Sequence, residues 1–265
     1  MRLSLTVAEK IIPLRCLKFA GGEVQVRIEG PAHQVDHVTI RADLIDSDTV
    51  MGLLVLTDAV RRQYGDPAID LVCPYLPYAR QDRVAYPGEA LSAAVACRLL
   101  NAQGYRSVEV WDAHSDVSLA LLDRVRHRPA SAFAGPIVSP NDVVVAPDLG
   151  AVKRATASAE LAGAPVVQAE KTRSTDTGAI TGSRVQSGSI GTRDFLIVDD
   201  ICDGGRTFIE LARVLRPLTE GRVKLYVTHG IFSAGFEALR AGIDQIYVAN
   251  PFPAELPDFV QIVRG

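Results

Sequence analysis

The sequence lacks most of the features that place a chain at first sight. Its four cysteines, Cys16, Cys73, Cys97 and Cys202, are widely spaced with no C-x-x-C between them. That excludes a thiol redox motif and a zinc knuckle, and each cysteine, set among apolar neighbours, reads as a small buried hydrophobe. There is no uncharged span of 18 residues and no apolar core of a signal peptide, so the chain is expected to be soluble and cytoplasmic, with no membrane partner. Charge of one sign is also missing. With 28 basic and 31 acidic residues the net charge is −3, which gives no global field to recruit nucleic acid or anionic lipid. Neither Gly-x-Gly-x-x-Gly nor the Gly-Lys-Ser/Thr of a Walker loop occurs, so the common dinucleotide and P-loop signatures are excluded.

What is present is a chain of 265 residues, 48% hydrophobic, with room for one large domain or two small ones. Its organising stretch runs from Asp194 to Thr207, Asp-Phe-Leu-Ile-Val-Asp-Asp-Ile-Cys-Asp-Gly-Gly-Arg-Thr. An apolar, β-branched run ends in Asp199 and Asp200; a turn of Asp203, Gly204 and Gly205 follows, and Arg206 and Thr207 head a helix. Helix N-termini carry unpaired N–H groups, so the turn can cradle a phosphate. Two adjacent acids would repel bare phosphate; they suit ribose hydroxyls or a hydrated Mg²⁺. The plain alternative is a strand–turn–helix with solvated acids.

Other polar clusters also follow β-like runs. Leu3, Leu5 and Val7 alternate as one strand and Val24, Val26 and Ile28 as another, with Phe19 and Glu23 on the turn between them. A strand over His37 to Ala42 runs into Asp43, Asp46 and a helix from Val50 to Val60, an imperfect echo of the main stretch in which Asp48 stands where the later copy has glycine. That echo predicts two similar α/β halves. Ile69 to Cys73 opens into Pro74-Tyr75-Leu76-Pro77-Tyr78-Ala79-Arg80-Gln81-Asp82-Arg83, where ligands bind in open α/β sheets. Arg80 and Arg83 suit polyphosphate, and Gln81 or Asp82 a base or ribose; a charged surface loop is the alternative. A helix over Leu91 to Ala102 and a strand over Ser107 to Trp111 then deliver His114 between Asp112 and Asp116, an arrangement suited to metal or acid–base work. The Pro/Ala/Gly/Ser-rich residues 129 to 141 form the expected hinge, with domains over 1–132 and 133–265. Beyond it, Asp142 to Ala146 leads to Asp148. Val166 to Ala169 leads to a polar loop from Glu170 to Gly178, whose Lys171 and Arg173 suit a phosphoryl clamp that closes. A return segment begins at Val185.

Taken together, these clusters make the chain resemble the ribose-phosphate diphosphokinases (PRPP synthetases) from about Lys18 to Ile246. Phe19 and Glu23 are similar to their adenine-stacking loop. Pro74 to Asp82 is nearly their ATP signature, Asp112-Ala113-His114 resembles their Asp-Leu-His, and Thr228-His229-Gly230 matches another signature. The resemblance implies two Rossmann-like domains of the type I phosphoribosyltransferase kind, each a mostly parallel sheet flanked by helices. It implies ATP binding by Phe19, Glu23, Arg80, Gln81, Asp82 and His114, and metal contacts at His114 and Asp148. Ribose phosphate would be held by Asp199, Asp200, Asp203, Gly204, Gly205, Arg206 and Thr207, and catalysis would fall to Lys171, Arg173 and His114. The implied reaction is Mg²⁺-dependent transfer of a diphosphoryl group from ATP to the 1-hydroxyl of ribose 5-phosphate. A homo-oligomer, dimer or hexamer, is implied too; a short link between His114 and Val143 favours the dimer.

Several departures from the family pattern stand beside the matches. Gly21 replaces an Asp or Asn, Thr172 replaces the middle Arg of the clamp, and Asp203-Gly204-Gly205-Arg206-Thr207 replaces Asp-Thr-Ala-Gly-Thr. Two glycines would widen the cradle, and Arg206 could meet a further phosphate, so an acceptor such as ADP-ribose is the alternative to ribose 5-phosphate. A phosphoribosyltransferase has no use for Tyr78 to Asp82, and a non-catalytic relative should have lost the clamp or the acids.

Overall fold

A computed structural model of the chain describes residues 2–173, 180–185 and 188–265. The fold divides into two compact units, Met1–Arg128 and Pro129–Gly265.

The first unit holds β1 (Leu3–Val7), β2 (Lys10–Ile12), β3 (Leu14–Lys18), β4 (Val24–Ile28), β5 (His37–Ala42), α1 (Ser47–Tyr64), β6 (Ala68–Val72), α2 (Ser92–Asn101), β7 (Ser107–Trp111), α3 (Asp116–Ala120) and β8 (Val125–Arg128). Its sheet has the order β2-β1-β5-β6-β7-β8, antiparallel over the first three and parallel from β5 onward. β3 and β4 form a separate hairpin. α1 shows why the local sequence suffices: Asp46 caps its N-terminus, accepting from Thr49 N at 2.7 Å. Gly65 ends it in the left-handed region at φ 75°, its N–H on Arg61 O. Between these caps Thr49, Leu53, Leu56, Val60 and Tyr64 fall on one buried face at helical spacing. Residues Val125–Arg128 form the edge strand β8, paired with β7. Its Arg128, with Arg41, lies over the Trp111 ring at 5.5 and 5.0 Å.

The second unit holds α4 (Ser131–Ala134), β9 (Asp142–Ala146), α5 (Val152–Glu160), β10 (Val166–Arg173), β11 (Ile180–Val185), β12 (Asp194–Cys202), α6 (Arg206–Leu215), β13 (Val223–Gly230), α7 (Glu237–Arg240), β14 (Gln245–Pro251) and β15 (Val260–Ile262). The sheet order is β11-β10-β9-β12-β13-β14-β15, parallel except for the edge strand β11. The central strands carry apolar runs, Val143–Ala146 and Phe195–Val198, as strands covered on both faces do; all eight residues of β13 are buried, the polar Lys224, Thr228 and His229 among them. At the start of the sheet Lys224, 4% exposed, pairs with Asp142 at 2.7 Å and Asp194 at 3.3 Å. A lysine that deep is tolerable only with such partners.

Three local expectations are corrected. Residues 131–137, taken for a hinge, form α4 and a 3-10 turn, with Phe133 and Ala134 buried. Glu170 to Arg173 are not loop but the end of β10, paired with β11 (Lys171↔Ser183, Arg173↔Ile180). The return strand ends at Val185 instead of beginning there. Beyond Gln168 β10 pairs only with the edge strand β11, where a strand needs no apolar pattern, so its charged end reads as loop from sequence.

Candidate functional site

β12 carries its apolar side chains to the middle of the second sheet and keeps Asp199 and Asp200 in strand conformation near its C-terminal end. Asp200 is 4% exposed. Asp199 Oδ1 accepts from the Asp200 N–H at 2.9 Å, so the first acid also orders the backbone of the second. The pair is bridged by Arg154, from the first turn of α5, whose Nη1 lies 2.9 Å from Asp199 Oδ1 and 3.2 Å from Asp200 Oδ1. Burial, and then the Asp200 charge beside it, push the Asp199 carboxyl well above the usual carboxylate range; Arg154 opposes both.

The turn after β12 ends in Gly205 at φ 76°, in the left-handed region, and a Cβ there would lie 2.8 Å from Leu239 Cδ2. Glycine at 205 thus serves backbone geometry and close packing, not a wider cradle, which corrects half of the argument from the two glycines. At Gly204 a Cβ would meet only Ser233 Oγ, at 4.0 Å, so there the space is open. Ser233 donates to Asp203 Oδ1 at 2.6 Å and ties the turn to the segment after β13. That segment passes close under Gly230, where a Cβ would sit 2.1 Å from the Phe232 ring; the glycine of Thr228-His229-Gly230 is a packing requirement. α6 begins at Arg206 with no side-chain cap, so its first N–H groups face the turn without a carboxylate or hydroxyl of the cap residue upon them. Arg206 itself is 86% exposed and pairs with Glu210 at 2.7 Å along the helix.

In the first unit, Phe19 is 52% exposed at the tip of the β3–β4 hairpin, whose turn is closed by Phe19 N to Glu23 O at 2.8 Å. Glu23 folds its carboxylate over Gly21, into the space a side chain at that position would take. After β6, Leu76 and Ala79 are buried anchors, while Arg80 and Gln81 are exposed and Asp82 is half-buried. Tyr78 holds φ 62°, a strained value for a non-glycine residue, with Gln81 N on its carbonyl. The same segment borders an apolar groove of about 530 Å³ lined by Val50, Met51 and Leu54 of α1 and Val95 and Leu99 of α2. Asp112, buried and at φ 37°, turns the chain after β7 and leaves His114 exposed.

Asp148 caps the helical segment after β9, accepting from Ala151 N at 3.3 Å. Lys171 and Arg173 have their backbones in β10; their side chains and residues 174–179 lie outside the described residues. Among the described residues no group of three or more His, Cys, Asp or Glu could hold a metal ion. Mg²⁺ asks for less, since it is commonly held by one or two carboxylates with waters and substrate phosphates. The half-buried oxygen donor Asp148 fits that role.

These features match known proteins along the chain. The family described as the N-terminal domain of ribose phosphate pyrophosphokinase matches residues 3–104, and the phosphoribosyl transferase domain matches 120–234. The ribose-phosphate pyrophosphokinase of Thermococcus kodakarensis is 31% identical over 255 residues, covering 92% of this chain and 87% of its own. That of Ureaplasma parvum is 32% identical over 232 residues, covering 84% and 69%. The chain belongs to the ribose-phosphate pyrophosphokinase family. A crystal structure of phosphoribosylpyrophosphate synthetase from Mycobacterium smegmatis aligns with a TM-score of 0.78 and 27% identity, over 95% of this chain and 85% of that one. The fold is therefore the expected pair of Rossmann-like units of the type I phosphoribosyltransferase kind.

Within this pyrophosphokinase fold, Arg154 is the residue that sequence reasoning left without a role. A signal was there: it lies beside the small buried positions Ala151, Ala155, Ser158 and Ala159, where an arginine needs an acid. Which acid is a property of the sheet, because 45 residues separate Arg154 from Asp199.

Proposed function

We propose that the chain is a ribose-phosphate diphosphokinase that moves the β,γ-diphosphoryl group of ATP to the 1-hydroxyl of ribose 5-phosphate, giving 5-phosphoribosyl 1-diphosphate and AMP. The observation that carries this reading is the end of β12, where two carboxylates precede an uncapped helix N-terminus. Carboxylates accept from sugar hydroxyls, and helix N-terminal N–H groups donate to phosphate oxygens; the arrangement suits one molecule carrying both. Asp199 and Asp200 would hold the 2- and 3-hydroxyls and so orient the neighbouring 1-hydroxyl. The turn from Asp203 to Thr207 would hold the 5-phosphate. Phe19, Glu23, Arg80, Gln81, Asp82 and His114 are proposed for ATP. Mg²⁺, when bound, would screen phosphate charge; His114 is proposed to hold it with ATP, and Asp148 to hold it on the ribose side.

In the transfer, the 1-oxygen bonds to the β-phosphorus and its proton passes to solvent water. The bond from that phosphorus to the α–β bridging oxygen breaks, and AMP leaves with that oxygen. Lys171 and Arg173 are assigned to charge developing on the bridging and leaving oxygens. Loss of Lys171 should therefore depress turnover more than ATP binding.

Plain ribose 5-phosphate is favoured over a larger phosphoester such as ADP-ribose. Gly205 is explained by its φ and by Leu239, and Arg206 turns along α6 to Glu210. The test is AMP release from Mg·ATP with each acceptor supplied separately and the product weighed by mass spectrometry. AMP with ribose 5-phosphate, and a product heavier by one diphosphate, is the expected result. AMP with ADP-ribose alone would replace the acceptor, and AMP with neither would end the reading.

A further inference from the structure

The assigned residues leave unexplained how two adjacent carboxylates keep a fixed aim at a diol. Successive side chains on a strand point to opposite faces, and two like charges in a half-closed setting push apart. Arg154 meets both problems at one atom. Its side chain is 13% exposed, and the single nitrogen Nη1 reaches Asp199 Oδ1 and Asp200 Oδ1 at 2.9 and 3.2 Å. The base of the side chain is fixed as well, because Ser158 Oγ bonds to the Arg154 carbonyl at 2.7 Å within α5. α5 in turn follows directly on the segment capped by Asp148. We propose that Arg154 is a positioning residue of the acceptor site, holding Asp199 and Asp200 as an aligned pair that receives the sugar hydroxyls. The inference rests on the proposed ribose site and adds a specificity element to it: a cation that contacts neither substrate yet sets acceptor affinity.

The geometry also says how the residue can be replaced. Because the same nitrogen, Nη1, reaches both carboxylates, a lysine ammonium placed there can recover most of the effect. A neutral side chain cannot.

The test is calorimetric binding of ribose 5-phosphate and, separately, of Mg·ATP to the whole protein, with kcat and both KM values for the wild type, Arg154→Gln and Arg154→Lys. For Arg154→Gln we expect ribose 5-phosphate binding to weaken about tenfold or more, with ATP binding within about twofold of wild type. Arg154→Lys should regain most of the lost acceptor affinity. If Arg154→Gln does not fold, the lysine variant decides: near-native acceptor binding upholds the proposal, and equal losses toward both substrates overturn it. Unchanged acceptor binding in Arg154→Gln overturns it as well, whatever happens to Tm. The wild type separates this inference from the reading beneath it. Binding of ribose 5-phosphate without AMP release sinks only the reaction, whereas no binding at all sinks both.

Discussion

The two units use the same outline, strand then acids then helix, to opposite ends. In the first, the acids after β5 are consumed by the fold. Asp43 pairs with Arg41 at 3.2 Å, Asp46 caps α1 through Thr49, and Asp48 pairs with Lys18 at 2.5 Å. In the second, Asp199 and Asp200 are gathered by Arg154, and the helix that follows starts on Gly205 with no side-chain cap. The titration of the acids tells the same story. Asp46 is lowered by its hydrogen bonds to Thr49, whereas Asp199 is raised by burial and by Asp200. An acid that stabilises a fold is made comfortable as an anion. Asp199 is not, and under the proposed function the helix N-terminus beside it would take the ligand's charge.

The sharpest way to break this contrast is to remove the waiting acid. Asp199→Asn should lower kcat/KM for ribose 5-phosphate about 100-fold, the scale of a misplaced nucleophile, while Tm changes little or rises, since a disfavoured anion has gone. A lower Tm with intact kinetics would move Asp199 into the structural class. Next comes the empty cap. Gly205→Ala forces a side chain into the left-handed region and against Leu239, and should cost about 1–3 kcal/mol in denaturant unfolding. Acceptor KM should rise with it, because the turn that presents the helix N-terminus is displaced.

Much of this was legible in the sequence for physical reasons that differ by region. β5, β7 and β9 fall where alternation and β-branched runs put them, because buried strands are specified by what they bury. The glycine turn after β12 was legible because positive φ selects glycine. Val166 to Ala169 was legible as the start of β10, but its continuation through Arg173 and the edge strand β11 were not, since an edge strand needs no apolar pattern. Asp46 as a cap and Arg154 as a bridge were also missed: each depends on which acid meets which donor. For Asp46 the donor is only three residues away, but Asp199 and Arg154 meet only once the sheet is assembled.

The structural acids give smaller effects of a different kind. Asp70 accepts from Arg106 at 2.9 Å and from Ser107 at 2.7 Å, and lies 3.0 Å from His37. The Arg106 guanidinium above all holds its carboxyl well below the usual range. A folded-state value below the unfolded one means stability that is present above about pH 4 and lost as pH falls further. Asp70→Asn should therefore cost about 1 kcal/mol at pH 7, discounted for the exposure of Arg106, and less at pH 3. A constant difference across that range would show that packing, not charge, is at work. Asp46→Ala should cost about 1 kcal/mol through the lost cap and leave acceptor KM untouched.

The smallest expected effect sharpens the comparison most at the level of substrate choice. Arg206 opens α6 beside the empty cap, yet it is 86% exposed and its Nε is on Glu210 at 2.7 Å. An exposed i,i+4 pair contributes roughly 0.3–0.5 kcal/mol, so Arg206→Ala should shift unfolding by no more than that. The informative number is the KM for ribose 5-phosphate. Phosphate held by backbone N–H groups of the turn needs no guanidinium, so KM should stay within about twofold of wild type. A rise of tenfold would mean that Arg206 leaves Glu210 when acceptor binds, and that the second unit recruits a side chain where the first unit would have used a cap.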